Sequence, residues 1–244
     1  MTCKKTPHEW NHAIRVLKES ASEFSVMGGK VFPPLKFSHD NLPSETIKSC
    51  FLYCALFPED FLIKGNFVKM HDLIHDMALW LACDCGKENE SVLVHTGLQG
   101  TPHVKKWNNT RRVSLVGSHF KSLVETPKSP NLLTLFLRGG EGPLNMIADG
   151  FSDHMPTLRV LDLSKNLNIT KLPSGVSNLI SLQHLNLSRA GVRALQIELK
   201  ACVRLKYLNL EHMDELHFVP QNVISSFPML KVPRMLVKKL KFRH

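Results

Sequence analysis

Four times in the second half of the chain, three leucines stand at one spacing, Leu-x-x-Leu-x-Leu. They are Leu132/Leu135/Leu137, Leu158/Leu161/Leu163, Leu182/Leu185/Leu187 and Leu205/Leu208/Leu210. Successive starts lie 26, 24 and 23 residues apart. Leucine fills 36 of the 244 positions, a frequency at which this triplet arises less than once by chance in such a chain. Four in series make a repeat. Its period and core pattern predict short parallel strands linked by returning segments, each unit too small to bury its own apolar face and dependent on its neighbours.

This is the signature of a leucine-rich repeat, and the expected fold class is α/β: a short horseshoe of parallel strands over 110–232. Arg112-Val113-Ser114-Leu115 reads as a degenerate first strand with Leu123 below it. Alternate strand residues turn inward, so Leu161 and Leu163 join the core, and Asn166 holds the polar turn position. The returning half of each unit carries Leu172-Pro173 and Leu179, then Val192, Leu195 and Leu199 with Gln196 in the proline's place, then Leu216, Pro220 and Phe227. After Leu230 the pattern is expected to fail, because Pro233 replaces the second leucine and removes a ladder donor.

Residues facing outward should form three columns on the concave face: Thr134, Val160, His184 and Tyr207; Phe136, Asp162, Asn186 and Asn209; Arg138, Ser164, Ser188 and Glu211. An extended concave sheet is what solenoids offer to partners, so these twelve residues are the candidate protein-binding surface. No column combines a nucleophile, a base and an orienting group, and no enzyme is expected.

The net charge of +10 invites a nucleic-acid reading, but its distribution argues against one. Residues 1–109 hold twelve cations and twelve anions, and residues 110–230 hold thirteen and nine. The last 14 residues hold six cations and no anion, so the excess sits mainly in a basic tail, 233–244. No apolar run is long enough to span a membrane, no secretory leader is visible, and the six cysteines show no framework spacing; a reduced, cytosolic protein is the default.

The first 98 residues read as mainly helical, with a linker over 99–109 passing Gly100 and Pro102. Thr6-Pro7-His8-Glu9 opens a first helix through Phe24. A second covers Leu35 to His39. Ser44 caps a third with Ile47, Cys50, Phe51 and Cys54 on its face, and a fourth begins near Met70 with Leu73, Ile74, Met77, Ala78 and Leu81 on one side. Ser91 to His95 can form a strand. Cys50-x3-Cys54 followed by His71-x3-His75 approaches a zinc pattern, but the cysteines lie on an apolar helical face and the pairs are far apart, so no metal is assigned. Cys83-x-Cys85 is too close for a redox pair.

Several blocks together resemble the plant intracellular disease resistance proteins of the coiled-coil, nucleotide-binding, leucine-rich-repeat family. They are Glu9-Trp10, Leu35-Lys36-Phe37-Ser38-His39-Asp40-Asn41-Leu42, Lys48 through Asp60, and Met70-His71-Asp72 with the helix after it. The last matches that family's MHD motif. The resemblance implies innate-immunity function, and identifies 1–98 as a remnant of the nucleotide-binding and winged-helix region. It implies a place near the phosphates of ADP for His71, with Met70 and Asp72 as supporting neighbours. It further implies protein partners (a pathogen effector, a guarded host protein or another immune receptor) and a cytoplasmic location, whether or not held peripherally at the plasma membrane.

Two departures qualify those implications. No G-x-x-x-x-G-K-[ST] occurs, since Gly29-Lys30 is followed by Val31 and Gly86-Lys87 by Glu88, and Phe61–Phe67 runs almost directly into Val68, where the family's winged helix has its body. The expectation is therefore a truncated receptor fragment that binds through its repeats, with a degenerate nucleotide switch and no ADP or ATP of its own. The alternative is an extracellular leucine-rich-repeat receptor or enzyme-inhibitor domain, which the sequons at Asn108, Asn168 and Asn186 fit.

Overall fold

The computed structural model describes residues 31–57, 71–82, 92–94, 100, 102–117, 119–139, 144–234 and 241–243. It divides into two compact units, Met1–Val92 and Leu93–His244. The expected helix before Phe24, Met70, the 61–68 junction and Cys83-x-Cys85 lie outside the described residues.

The described residues of the first unit form three helices: α1 Phe32–Asp40, α2 Glu45–Cys54 and α3 Asp72–Ala82. Pro33 and Pro34 open α1, where their missing N–H groups cost nothing. The α1 helix thus starts three residues before the expected Leu35. Ser44 caps α2 as expected, its hydroxyl accepting the Ile47 N–H at 3.3 Å. Phe32, Met77 and Trp80 form the core of this unit, the Phe32 and Trp80 rings 5.4 Å apart, with Phe51, Leu73, Ile74 and Leu81 packed against them.

The second unit is a stack of coils. Strands β1 Val92–Val94, β2 Arg112–Ser114, β4 Thr134–Phe136, β6 Val160–Asp162, β7 His184–Asn186, β8 Tyr207–Asn209 and β10 Val232–Arg234 make one seven-stranded sheet in that order. The register from β2 to β10 is unbroken and parallel: Val113, Leu135, Leu161, Leu185, Leu208 and Pro233 are successive partners. Their side chains from Val113 to Leu208 are buried, as are Leu137, Leu163, Leu187 and Leu210. The leucines therefore line one continuous seam, as the repeat requires. Returning segments close it with short 3-10 turns at Ser174–Asn178 and Ile197–Ala201, burying Val176, Leu179, Leu199 and Cys202. Two further parallel pairs form separate two-stranded sheets, β3 Ser122–Leu123 with β5 Met146–Ile147 and β9 Phe218–Pro220 with β11 Lys241–Arg243.

Three sequence-based boundaries move. The strand at β1 joins the repeat sheet, and Val104 and Trp107, in the stretch read as a linker, are buried in the repeat core, Trp107 edge-on to Phe151 at 6.2 Å. The repeat unit thus begins at Leu93 rather than 110. The tail is also structured in part, because β10 and β11 fall within 233–244 or straddle its start. Finally, Pro233 does not end the ladder. His184 N–H turns back to Arg159 O while Leu187 N–H turns forward to Asn209 O, so the middle residue of each strand, sharing the parity of Leu187, points its N–H forward. Pro233 holds that middle place in the terminal strand of the sheet, and its missing donor faces the open edge.

Between coils the backbone approaches closely. A Cβ on Gly191 would sit 1.8 Å from the Leu167 carbonyl oxygen, so only glycine lets these two coils meet. Where Gln196 replaces proline, its side-chain amide donates to Leu172 O of the preceding coil at 2.8 Å.

Candidate functional site

Register places the first two expected columns side by side, Thr134–Val160–His184–Tyr207 and Phe136–Asp162–Asn186–Asn209. From Phe136 to Asn209 they border a groove of about 460 Å³. The third column follows at the strand ends, where Gly139 N–H donates to Ser164 O, Lys165 N–H to Ser188 O and Arg189 N–H to Glu211 O.

These positions differ in what they leave accessible. Thr134, Phe136, Asp162 and Ser164 are buried, each flanked by the columns of the coils on either side. Arg138, Val160, His184, Asn186, Ser188, Asn209 and Glu211 are half-buried, and Tyr207 is 43% exposed. The accessible part of the surface therefore lies toward β6, β7 and β8.

The second column is held by its own hydrogen bonds. Asp162, Asn186 and Asn209 each accept the N–H two residues on, from Ser164 at 2.8 Å, Ser188 at 3.1 Å and Glu211 at 2.9 Å. Asn186 also donates to the other oxygen of Asp162 at 2.9 Å. These turns take N–H groups away from the ladder. Val160 N–H donates to Leu133 O, and the same ladder two steps further twice would bring Ser164 N–H to Leu137 O. Instead the buried amide of Asn166 donates to Leu137 O at 2.7 Å and to Leu163 O at 2.8 Å. The polar turn residue read from sequence thus satisfies carbonyls of two successive coils.

In the first column, the His184 and Tyr207 rings stack with centroids 4.4 Å apart and planes 18° off parallel. Burial, and then the charge of Lys206, hold the His184 imidazole below its usual pKa, which favours the neutral ring. With Val160 alongside, the groove floor offers a flat aromatic surface edged by amides.

The rim carries two residues that the columns missed. Lys165 and Arg189 occupy the same place in adjacent coils and both adopt left-handed backbone, φ 61° and 57°, as His212 does at 55° one coil later. Gly117 holds the equivalent place in the first coil at φ 66°. The signal was present in sequence as the second residue after each inward leucine of the triplet, but the period-2 rule stops at the strand end and gives no direction to side chains beyond it.

At the start of α3, the ring Nδ1 of His71 accepts the Leu73 N–H at 3.2 Å, while His71 O accepts Ile74 N–H at 2.8 Å and His75 N–H at 2.9 Å. The N–H groups of Leu73, Ile74 and His75 are thus satisfied locally, and Asp72 adds a negative charge in the first turn. Met70, the third residue of the expected phosphate-facing motif, lies outside the described residues. His75 is buried, its Nε2 donating to Phe57 O at 2.9 Å, Cys50 is exposed and Cys54 half-buried. Among the described residues no three potential metal ligands converge, and no helix is long and apolar enough to cross a membrane.

No protein-family model matches the chain. Disease resistance protein RPS5 of Arabidopsis thaliana is 37% identical over 88% of this chain and 30% of its own length. Disease resistance protein UNI of the same plant is 35% identical over 98% of this chain and 32% of its own length. A probable disease resistance protein from that plant reaches 40% over 79% of this chain and 26% of its own length. The alignment with UNI spans 286 positions, more than the 244 residues available, so UNI carries residues with no counterpart here. Among solved structures, the leucine-rich-repeat ectodomain of the membrane receptor kinase GASSHO1/SCHENGEN3 from Arabidopsis overlays with a TM-score of 0.41 at 20% identity, covering 61% of this chain and 22% of that one. The chain spans about a third of the length of these curated relatives, and over nearly all of its own length it is homologous to the plant disease resistance proteins.

Proposed function

We propose that this chain serves plant defence by recognising a protein through the concave groove of its repeat unit, acting by binding rather than by chemistry. The observation that carries this reading is the aromatic surface of His184 and Tyr207 set in a groove whose neighbouring amides, Asn186 and Asn209, are held by hydrogen bonds to Asp162, Ser188 and Glu211. Such a surface is ordered before a partner arrives, so little side-chain entropy is lost on docking. Its place in a sequence related to disease resistance proteins supports a defence role for the contact. In this reading the partner is a pathogen effector, a guarded host protein or another immune receptor, and the nucleotide switch of longer relatives is not operated by this chain. A cytoplasmic setting is supported by the described cysteines, Cys50, Cys54 and Cys202, all of them unbridged. The extracellular alternative draws no support from Asn186, whose side-chain nitrogen is committed to Asp162.

The test is proximity labelling in leaf cells with the chain fused to a biotin ligase, wild type against Tyr207→Glu and an exposed control, Asn145→Ala. The reading expects a set of proteins labelled by wild type and control and lost with Tyr207→Glu. Identical sets from all three would overturn it.

A further inference from the structure

The rim of the groove carries a concentration of positive charge. Lys165 and Arg189 are equivalent residues of neighbouring coils, and the backbone bonds Lys165 N–H to Ser188 O and Arg189 N–H to Glu211 O hold their stretches side by side. Strand spacing then separates their Cα atoms by about 5 Å. Arg138, one coil earlier, lies near enough that its charge and that of Arg189 act on Lys165; burial, followed by these two cations, lowers the ammonium's pKa. Burial does the same to Arg138, with Asp162 opposing the shift and Arg189 adding to it. Both side chains at the centre of this cluster stand on left-handed backbone that disfavours any residue but glycine, so their presence costs stability.

The anions at hand are few. Asp162 is buried and has both oxygens engaged, one by Ser164 N–H and one by Asn186. Glu211 is half-buried in the next coil. Among the described residues, no carboxylate comes within ion-pairing distance of Lys165 or Arg189. Three mutually repelling cations at the edge of an aromatic-floored groove match a ligand that brings negative charge and an apolar side chain together.

We propose that the groove takes an extended acidic segment of a protein partner, its carboxylates set against Lys165, Arg189 and Arg138 and one of its apolar side chains laid on the stacked rings of His184 and Tyr207. This rests on the protein-recognition reading and adds the chemistry of what is recognised. Opposite charges at the rim speed encounter and are screened by salt, whereas the ring contact is not, so the two contributions separate by ionic strength.

The test is selection of random twelve-residue peptides displayed on phage against the full chain, in parallel with the double variant Lys165→Glu/Arg189→Glu. The recovered sequences are then synthesised with a fluorescein label and titrated by anisotropy. Wild type should enrich Asp and Glu beside an aromatic or aliphatic residue. The labelled peptide should bind at least tenfold more weakly to the double reversal and to wild type at high salt, and Lys165→Gln/Arg189→Gln should fall between. Matching circular dichroism spectra for the variants show that folding is kept. Failure to enrich acidic residues, failure to recover any binder, or affinity unchanged by the reversal overturns the inference. In leaf-cell labelling, partners lost with Tyr207→Glu but kept by the charge reversal would leave protein recognition standing and remove the acidic segment. Partners kept by both would remove the two together.

Discussion

Replacing Asn166 by alanine removes one amide and orphans two carbonyls. The Asx turns at Asp162 and Asn186 have drawn Ser164 and Ser188 N–H away from the ladder. The carbonyls of Leu137 and Leu163 therefore depend on the Asn166 side chain, which is 3% exposed. A hydrogen bond of this kind contributes about 1 kcal/mol net, and a buried carbonyl left without a donor costs about 1–3 kcal/mol. Some relief by water is available at the turn, so the expected loss for Asn166→Ala is about 3 kcal/mol. With a urea m-value of about 2 kcal/mol per molar, the unfolding midpoint should fall by about 1.5 M. Trp107, buried in the repeat core, reports the transition by fluorescence, with circular dichroism as a second probe. Asn145→Ala, at an exposed position, is the control and should move the midpoint by less than about 0.25 M. A shift for Asn166→Ala no larger than that of the control, with m unchanged, would refute the idea that one side chain bridges two coils.

Other substitutions test neighbouring parts of the account. Gly191→Ala must displace the Leu167 backbone and should cost at least about 3 kcal/mol in the same urea assay, whereas Gly100→Ala, with nothing within 4 Å of its added carbon, should lose only the cost of its left-handed backbone, about 1–2 kcal/mol. Lys165→Gly relieves that same kind of strain and should raise stability by up to about 1 kcal/mol, seen as a higher melting temperature. Because the pKa of His184 is depressed by burial and Lys206, its contribution is fully present above the unfolded value near 6.5 and is lost as pH falls through the folded value. Urea midpoints of wild type should thus fall from pH 7 to pH 5 more steeply than those of His184→Gln, and parallel slopes would count against it.

Much of the repeat was legible because its physics is periodic. Leu135, Leu161, Leu185 and Leu208 are buried partners across the sheet for the reason their spacing declared, since side chains alternate along a strand and identical units must stack to bury them. The capping hydroxyl of Ser44 was equally readable, being a local device. Context decided the rest. Trp107 in the supposed linker has no periodic partner and reveals itself only by packing on Phe151. Pro233 reads as a terminator until the direction of its missing N–H is known, and that depends on which strand lies last. The burial of Thr134, Phe136, Asp162 and Ser164 within columns expected to face outward depends on neighbouring coils rather than on strand alternation. The cationic rim escaped for a related reason, because Lys165 and Arg189 sit past the strand ends, where left-handed backbone sets their direction.

Hydrogen exchange by NMR on the intact chain reaches the core of the account most directly. Leu137, Leu163 and Leu187 donate N–H across successive coils to Asp162, Asn186 and Asn209, each at 2.9 Å. Stacked, in-register coils require these three amides to be strongly protected, to similar degrees, and well beyond the exposed loop amides of Leu167 and Asn168. Rapid exchange at any of the three, or protection confined to a single coil, would contradict a continuous solenoid and the groove built on it.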